Sequence, residues 1–469
     1  MNWILFKKNK SGAGTDCVKN LLCHYGLNFW PFRQIEKGFN LMSVTALLFL
    51  NDYADGDGEK ARTLLSIGGI TMLERQLRQL KSAAIDHVLI VSNNFPDLIH
   101  RYVLSFSNIP TRIDVLEQKH LDRGSFSEDE RYLLVGEGVI LAQSAINHMA
   151  ALTQNAMMVL PKDVPMFGVG ATNSVTASGG GKRSFASLAS IDRALLVQAL
   201  EDGAFMERPV GMILTYMMNR QAGLITLANP KPLGGGEPPI VWRPVTAKNQ
   251  TGRVTRMLAR DQGNSQPDFI TTMLHGGVEN LIVWLLSLVK IPVLGVRMGS
   301  VLIGLIATWM IYLGALGAGL ATTIIFTLVW GAGDKMGKLQ ICPEFSKPLW
   351  KIIGWLVELG WLVALANMIT PMAGDLAPWV LMVTAWLFIL ASEGAISGFT
   401  GRTGQFLWTR SMADKTIGLF LASRTSRIWF IILLGAGLNW GYVPWGLAAY
   451  SALSFFIIQS RADKVSQRQ

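Results

Sequence analysis

The sequence predicts an α/β domain with a parallel sheet, followed by an α-helical membrane domain with six transmembrane helices. Three observations lead there. Half of the 469 residues are apolar and only 16% are charged, and nearly all of the apolar excess lies beyond about residue 280. A strand, loop, helix, strand pattern is legible between residues 44 and 91. Basic residues fall in alternate loops between the apolar stretches of the second half. This composition excludes an ordinary soluble enzyme. The formal charge of +10 is unevenly placed, because residues 280–469 hold 14 Lys and Arg against 7 Asp and Glu, and the rest of the chain 28 against 25. The basic excess sits beside the membrane, so the lipid bilayer is the expected partner and nucleic acid is not.

Residues 1–43 read as an N-terminal extension ahead of an α/β domain at 44–232. Two lysines follow a short apolar patch at the start, the reverse of a secretory signal, so no cleaved targeting segment is expected. Cys17, Cys23 and Cys342 fit neither a metal site nor a disulfide framework, which points to a reducing compartment. The run VTALLFL at 44–50 suits a buried strand. In 71–83, Met72, Leu73, Leu77 and Leu80 share one helical face, and VLIV at 88–91 is a second short strand, which completes a βαβ unit.

The loop between the first strand and this helix, residues 51–69, combines Gly56, Gly58, Gly68 and Gly69 with Asp52, Asp55 and Asp57. Backbone amides in such a loop wrap phosphates, whereas three aspartates repel them unless a divalent cation intervenes, so a phosphate loop and an acidic surface loop both remain open. The stretch LLVGEGVI at 133–140 ends a strand near Glu137, at the carboxyl edge where open α/β sheets bind ligands. Glu137 is either a metal-holding carboxylate or a solvated turn residue. The Gly-rich segments 177–184 and 234–238 read as hinges, the second opening a linker at 233–278.

An apolar but basic segment at 279–298, interrupted by Pro292, reads as an interfacial amphipathic helix whose Lys290 and Arg297 snorkel to lipid phosphates. The membrane domain, 299–460, contains apolar stretches at 299–313, 315–331, 352–370, 377–397, 428–444 and 446–459, and a tail follows at 461–469. The loops 332–351 and 398–427 and the tail are rich in Lys and Arg, while the turns at 313–317, 370–376 and 439–445 contain none. This positive-inside pattern predicts an integral membrane protein with both termini cytoplasmic, in the inner membrane if the source is bacterial.

The stretch LLSIGGITMLERQLRQLKSAAIDHVLIV at 64–91 resembles sugar-nucleotidyltransferases of the GT-A-like type, whose Rossmann-like domain places a Gly-rich phosphate loop before a Lys-Pro pair, a small Gly turn and this helix. Here Arg62-Thr63 stands at the Lys-Pro position, and an acidic segment from Asn51 to Gly58 replaces the loop signature. The resemblance makes Arg62, Gly56, Gly58 and Glu137 the nucleotide-binding candidates.

From about Val278 to Arg461 the chain resembles the CDP-alcohol phosphotransferases, also called CDP-alcohol phosphatidyltransferases. The fusion resembles the bifunctional inositol-phosphate cytidylyltransferase and di-inositol-phosphate-phosphate synthase. Their motif, Asp-x-x-Asp-Gly-x-x-Ala-Arg followed by Gly-x-x-x-Asp-x-x-x-Asp, implies two divalent ions, Mg²⁺ or Mn²⁺, that clamp the donor diphosphate while the last carboxylate deprotonates the acceptor. The counterpart is VWGAGDKMGKLQ at 329–340, where Gly337 is the motif remnant, Gly333 and Met336 stand at the first two aspartates, and Glu358 stands at the fourth. The resemblance implies Glu358 and Asp334 as catalytic candidates, Arg424 and Arg427 as phosphate- or lipid-binding candidates, and a homodimer. Each has a plainer reading: Asp334 as a loop acid paired with Lys335 or Lys338, Glu358 as a paired structural acid, and the two arginines as topological anchors. Two functions are therefore expected to compete. One is a phospholipid-biosynthesis enzyme that transfers a phosphoalcohol from a CDP-alcohol or another nucleotide-activated donor to a hydroxyl. The other is a catalytically silent relative acting as scaffold, regulatory subunit or lipid-binding partner of another lipid enzyme.

Overall fold

The computed structural model describes residues 43–106, 109–127, 130–160, 174–176, 182–201, 209–220, 222–226, 242–261, 269–342, 348–373, 376–403, 407, 412–421 and 423–466. Two compact units divide them, one reaching to Trp361 and the other starting at Leu362. The Gly-rich segment 234–238 and most of 177–184 lie outside the described residues.

The first unit begins with strand β1 (Ser43–Phe49), a short hairpin of β2 (Tyr53–Ala54) and β3 (Asp57–Ala61), and a second hairpin of β4 (Ser66–Ile67) and β5 (Ile70–Thr71). Helix α1 (Met72–Ser82), β6 (His87–Val91), α2 (Pro96–Ser105), β7 (Arg112–Leu116), β8 (Glu130–Val135), β9 (Val139–Leu141) and α3 (Gln143–Ala150) follow. Then come β10 (Ala156–Val159), β11 (Ser174–Thr176), β12 (Lys182–Asp192), α4 (Arg193–Glu201), α5 (Pro209–Asn219), β13 (Gly223–Thr226) and β14 (Trp242–Pro244).

The main sheet runs β13-β10-β12-β8-β1-β6-β7, with β11 beside β12. Strand β1 is parallel to both β6 and β8, and β12 runs antiparallel to β8 and β10, so the sheet is mixed. Alternate side chains of β1 serve different layers. Ala46, Leu48 and Leu50 pack with Leu73, Leu77 and Leu80 of α1, Ile99 of α2 and Met149 of α3. Leu47 and Phe49 pack on the other face with Leu196 of α4 and Ile213 and Met217 of α5. A strand covered on both faces has no polar side to show, which is why it reads as a continuous apolar run.

Helix α1 is buried beyond its apolar face, since Arg75, Gln76, Arg78 and Gln79 are also buried. Thr71 caps its start by accepting from the Glu74 amide at 3.1 Å. Gln76 and Gln79 donate to backbone carbonyls of Gly136 and Leu141, which ties the helix to the strand ends beside it.

Residues 248–261, expected within the linker, form helix α6 (Lys248–Asp261). Helix α7 (Gly276–Leu288) follows, and after a joint at Pro292 come α8 (Val293–Tyr312) and α9 (Leu316–Leu339). The expected interfacial segment is thus divided, because Pro292 starts a new helix and its residues 293–298 belong to the first crossing helix. A third cluster, including Ile67, Met72, Val254, Leu258, Val283, Val293, Met336 and Leu339, joins the α/β domain to α6–α9.

At the end of α9 the chain turns through Ile341, whose φ is +52°. The Cys342 amide reaches back to the Gly337 carbonyl at 2.9 Å and closes the helix. Arginines of α1 take carbonyls left open there. Arg75 donates to the Leu339 carbonyl, and Arg78 donates to the Gln340 carbonyl at 2.8 Å and to Cys342 Sγ at 2.7 Å. Two cations thus meet the negative end of the helix dipole. The tip of the β4–β5 hairpin closes on the same helix end. Gly68 and Gly69 have φ of +63° and +89°, and a Cβ on Gly68 would lie 2.5 Å from Leu339 Cδ2. Both the turn and the close approach therefore require glycine there. The Gln340 side chain completes the contact by donating to the Gly68 carbonyl at 2.8 Å.

Helix α10 (Pro348–Ala373) passes from the first unit into the second, which also contains α11 (Ala377–Thr403), α12 (Met412–Leu419), α13 (Arg424–Gly437) and α14 (Val443–Ser466). Among the described residues five helices are long and apolar enough to cross a membrane: Val293–Tyr312, Leu316–Leu339, Leu349–Pro371, Ala377–Thr400 and Trp440–Lys464. The fifth expected stretch, 428–444, begins in α13, which stops at Gly437 after 14 residues. At 1.5 Å per residue that is about 21 Å, short of a hydrocarbon core of about 30 Å. The stop is built by a turn at 438–442, where Asn439 Oδ1 accepts from the Gly441 amide at 2.9 Å and the Trp440 ring fills the space over Gly435.

Candidate functional site

The carboxyl edge of the parallel strands collects Glu137, Arg62, Asp52 and Asp55. Glu137 lies in the turn between β8 and β9, and its Oε2 accepts from the amides of Asn51 and Asp52 at 2.8 and 2.9 Å. Arg62, just after β3, donates to Asp52 Oδ2 at 2.7 Å and Asp55 Oδ1 at 3.5 Å. Its Cδ lies 2.5 Å from where a Cβ on Gly138 would stand, so the bare glycine lets the arginine cross the Glu137 turn. Asn51 extends the edge, since its Oδ1 accepts from the Asn93 amide at 2.7 Å and its carbonyl from Asn94 Nδ2 at 2.7 Å.

Burial pushes the Glu137 carboxyl up to about 8, against the two amide donors that favour its charged form. Its Oε1 has no hydrogen-bond partner among the described residues. With Oε2 engaged by two donors, the proton belongs on Oε1. The edge thus offers an acid able to donate one hydrogen bond, beside a guanidinium already held by two aspartates.

Gly56 and Gly58 are placed differently. They belong to the β2–β3 hairpin, where Gly56 has a φ of +79° and both have open space around them. The hairpin is held from a distance, through the Asp55 amide donating to the Thr246 carbonyl at 2.8 Å and a bridge between Asp55 and Ala247. The Asp55 amide is thus spent on this pairing.

The second constellation lies on α7–α10. Asp334 of α9 forms an ion pair with Arg297 of α8. Arg297 is 2% exposed and its guanidinium lies 4.6 Å from the centre of the Trp330 ring. Arg297 is therefore buried between helices, not snorkelling, and it, in place of Lys335, is an ion-pair partner of Asp334, whose charge Lys338 one turn on also feels. Lys335 is committed elsewhere, to Glu279 at 2.8 Å and Asn280 Oδ1 at 3.1 Å, both on α7. Glu279 is admitted by Gly331, since a Cβ there would lie 2.4 Å from its Oε1. Sequence reasoning missed this buried pair. Its one signal was a glycine four positions before a lysine in an apolar helix.

At the positions that the resemblance gives to the first two aspartates, Gly333 and Met336 are buried, and Met336 packs in the third cluster. Gly337 is also buried and supplies the carbonyl that closes α9. Glu358 is buried within α10. Among the described residues no group of three or more His, Cys, Asp or Glu is arranged to hold a metal ion. The residues present do not fit a pair of divalent ions, because the two carboxylates of α7 and α9 are each neutralised by a cation. Arg424 and Arg427 belong to the second unit, in the first turn of α13, where Arg427 is buried and Ser423 caps the helix by accepting from the Ser426 amide at 3.0 Å.

Fold and sequence together define a class, an integral membrane protein with an α/β domain ahead of apolar helices long enough to span. No family model matches the chain, and no curated protein matches it. Among solved structures, that of HddC from Yersinia pseudotuberculosis aligns over 33% of this chain and 79% of its own, at 9% identity and a TM-score of 0.27. A likeness of that size carries no argument about function.

Proposed function

We propose that the protein is a catalytically silent relative of the fused nucleotidyltransferase and CDP-alcohol phosphotransferase, and that it serves polar-lipid synthesis as a membrane scaffold, regulatory subunit or lipid-binding partner of an active enzyme. The carrying observation is the pairing of Asp334 with buried Arg297. A carboxylate used to grip a divalent ion needs its charge for the metal, whereas this one is spent on a guanidinium. The neighbouring Gly333 and Met336 offer no oxygen ligand from their side chains. The parallel block of β1, β6, β7 and β8 supports the nucleotidyltransferase-like ancestry. Both termini share the cytoplasmic side in this reading only with α13 as a sixth, shortened crossing beside the five long apolar helices, and the Lys- and Arg-rich loops support that arrangement.

The competing reading is phosphoalcohol transfer with Glu358 as base and Asp334 beside Mg²⁺ or Mn²⁺. It requires Asp334 to leave Arg297. Purified protein in lipid nanodiscs tests the two by electron paramagnetic resonance of Mn²⁺ and by transfer from radiolabelled CDP-alcohols. The silent reading expects no Mn²⁺ signal beyond that of empty discs, no transfer, and a lipid-synthesis enzyme cross-linked to the protein in native membranes. Mn²⁺ binding that Asp334→Asn removes, or transfer that Glu358→Gln abolishes, overturns it.

A further inference from the structure

Three of the four basic residues of helix α6 share one side, and Lys248 at its start does not. It holds no Asp or Glu before Asp261, and Arg253, Arg256 and Arg260 are all exposed. At about 100° per residue these three and Asn249 fall within an arc of roughly 60°. The opposite side is filled by Val254, Thr255, Leu258 and Ala259, all buried, and Thr255 Oγ1 accepts from the Gly68 amide at 3.1 Å. The arginine row is therefore fixed in direction.

Helix α7 lies against α6 and is apolar where α6 is basic. Val278, Leu281, Leu285 and Leu288 are 43–58% exposed and form one row, while Glu279, Val283 and Ser287 behind them are buried. The two rows are tied together, because the Arg256 guanidinium lies 5.4 Å from the centre of the Trp284 ring, and Trp284 is one helical step from Leu281 and Leu288. Four residues beyond α7 the chain enters α8, which is long and apolar enough to cross a membrane. An exposed leucine row at the foot of a helix long and apolar enough to span is positioned to meet acyl chains, and a guanidinium row joined to it through a tryptophan is then positioned to meet headgroups.

We propose that Arg253, Arg256 and Arg260 form a ridge that binds the phosphates of anionic phospholipids at the membrane surface. The guanidinium fork matches phosphate oxygens, and a row whose helix carries no acid before Asp261 is drawn to a negatively charged leaflet. Nucleic acid or an acidic protein would also meet the charge, but neither accounts for the leucine row joined to it. The ridge requires no catalysis and stands whether or not the protein is silent.

The test uses the full chain in nanodiscs of phosphatidylcholine, with and without phosphatidylglycerol, and follows amide hydrogen exchange across 248–261 by mass spectrometry. Exchange in α6 is expected to slow roughly tenfold with phosphatidylglycerol, and the effect to disappear at about 1 M salt, where screening reaches only ~3 Å. Replacing all three arginines by glutamine should abolish the lipid effect while leaving exchange in α8 and α9 unchanged; Arg260→Gln alone should halve it, and serves if the triple variant does not fold. Equal exchange in α6 with and without phosphatidylglycerol overturns the proposal. So does slowing that appears only on adding an oligonucleotide or an acidic peptide.

Discussion

Replacing Glu137 by glutamine isolates the acid at the sheet edge. Its carboxyl stands at about 8 in the folded protein against an ordinary value of 4.5. A folded value raised above the unfolded one means that the native state holds the extra proton. The stability linked to it is complete below about 4.5 and is lost as pH rises through about 8. At about 1.4 kcal/mol per unit the full loss is about 5 kcal/mol, an upper bound because water reaching the loop lowers it. Glutamine keeps an oxygen for the amides of Asn51 and Asp52 without a charge to bury. Hydrogen exchange of the β1 and β8 amides, corrected for intrinsic rate, reads the opening free energy from about pH 5 to 8.5. The wild-type value should fall by several kcal/mol over this range and that of Glu137→Gln should stay level. Parallel pH profiles for the two proteins would refute the reasoning.

Three further outcomes follow from packing. Arg75→Met leaves the Leu339 carbonyl without its donor, so exchange at the end of α9 should quicken by an amount worth about 2 kcal/mol, and an unchanged rate counts against the clamp. Gly331→Ala displaces Glu279 and strands Lys335, lowering thermal stability in detergent by about 3 kcal/mol; adding Glu279→Ala should then cost little more, and full additivity would contradict the contact. Gly435→Ala drives a methyl into the Trp440 ring and should cost about 2 kcal/mol, a loss that Trp440→Ala ought to mask, so that an undiminished cost in the double variant argues against the packing.

The parts of this structure that were legible in the sequence are those set by local pattern. The βαβ unit shows in the apolar runs of β1 and β6 and in the spacing of Leu73, Leu77 and Leu80, and two of the five long apolar helices, Leu349–Pro371 and Ala377–Thr400, lie within three residues of their expected limits. What escaped depends on distant partners. The Gly-rich loop became a hairpin because residues 246 and 247 pair with Asp55 from nearly two hundred positions away. Arg297 looked like an interfacial anchor because its partner Asp334 lies on another helix. At the candidate sites, Glu137 and Arg62 were readable as residue types, but their mutual arrangement with Asp52 and Asp55 was not. The 14-residue length of α13 depended on a turn whose asparagine and tryptophan look unremarkable in a window of apolar residues.

The cluster that joins the α/β domain to α6–α9 has a consequence for how the chain is made. Ile67 and Met72 leave the ribosome long before Val283, Val293 and Leu339, which cover them. Throughout that interval a greasy face on an otherwise finished domain stays uncovered and prone to aggregate. Delivery of the nascent chain to the translocon is then also what completes the domain, and a fragment cut off ahead of α7 would emerge sticky, not soluble.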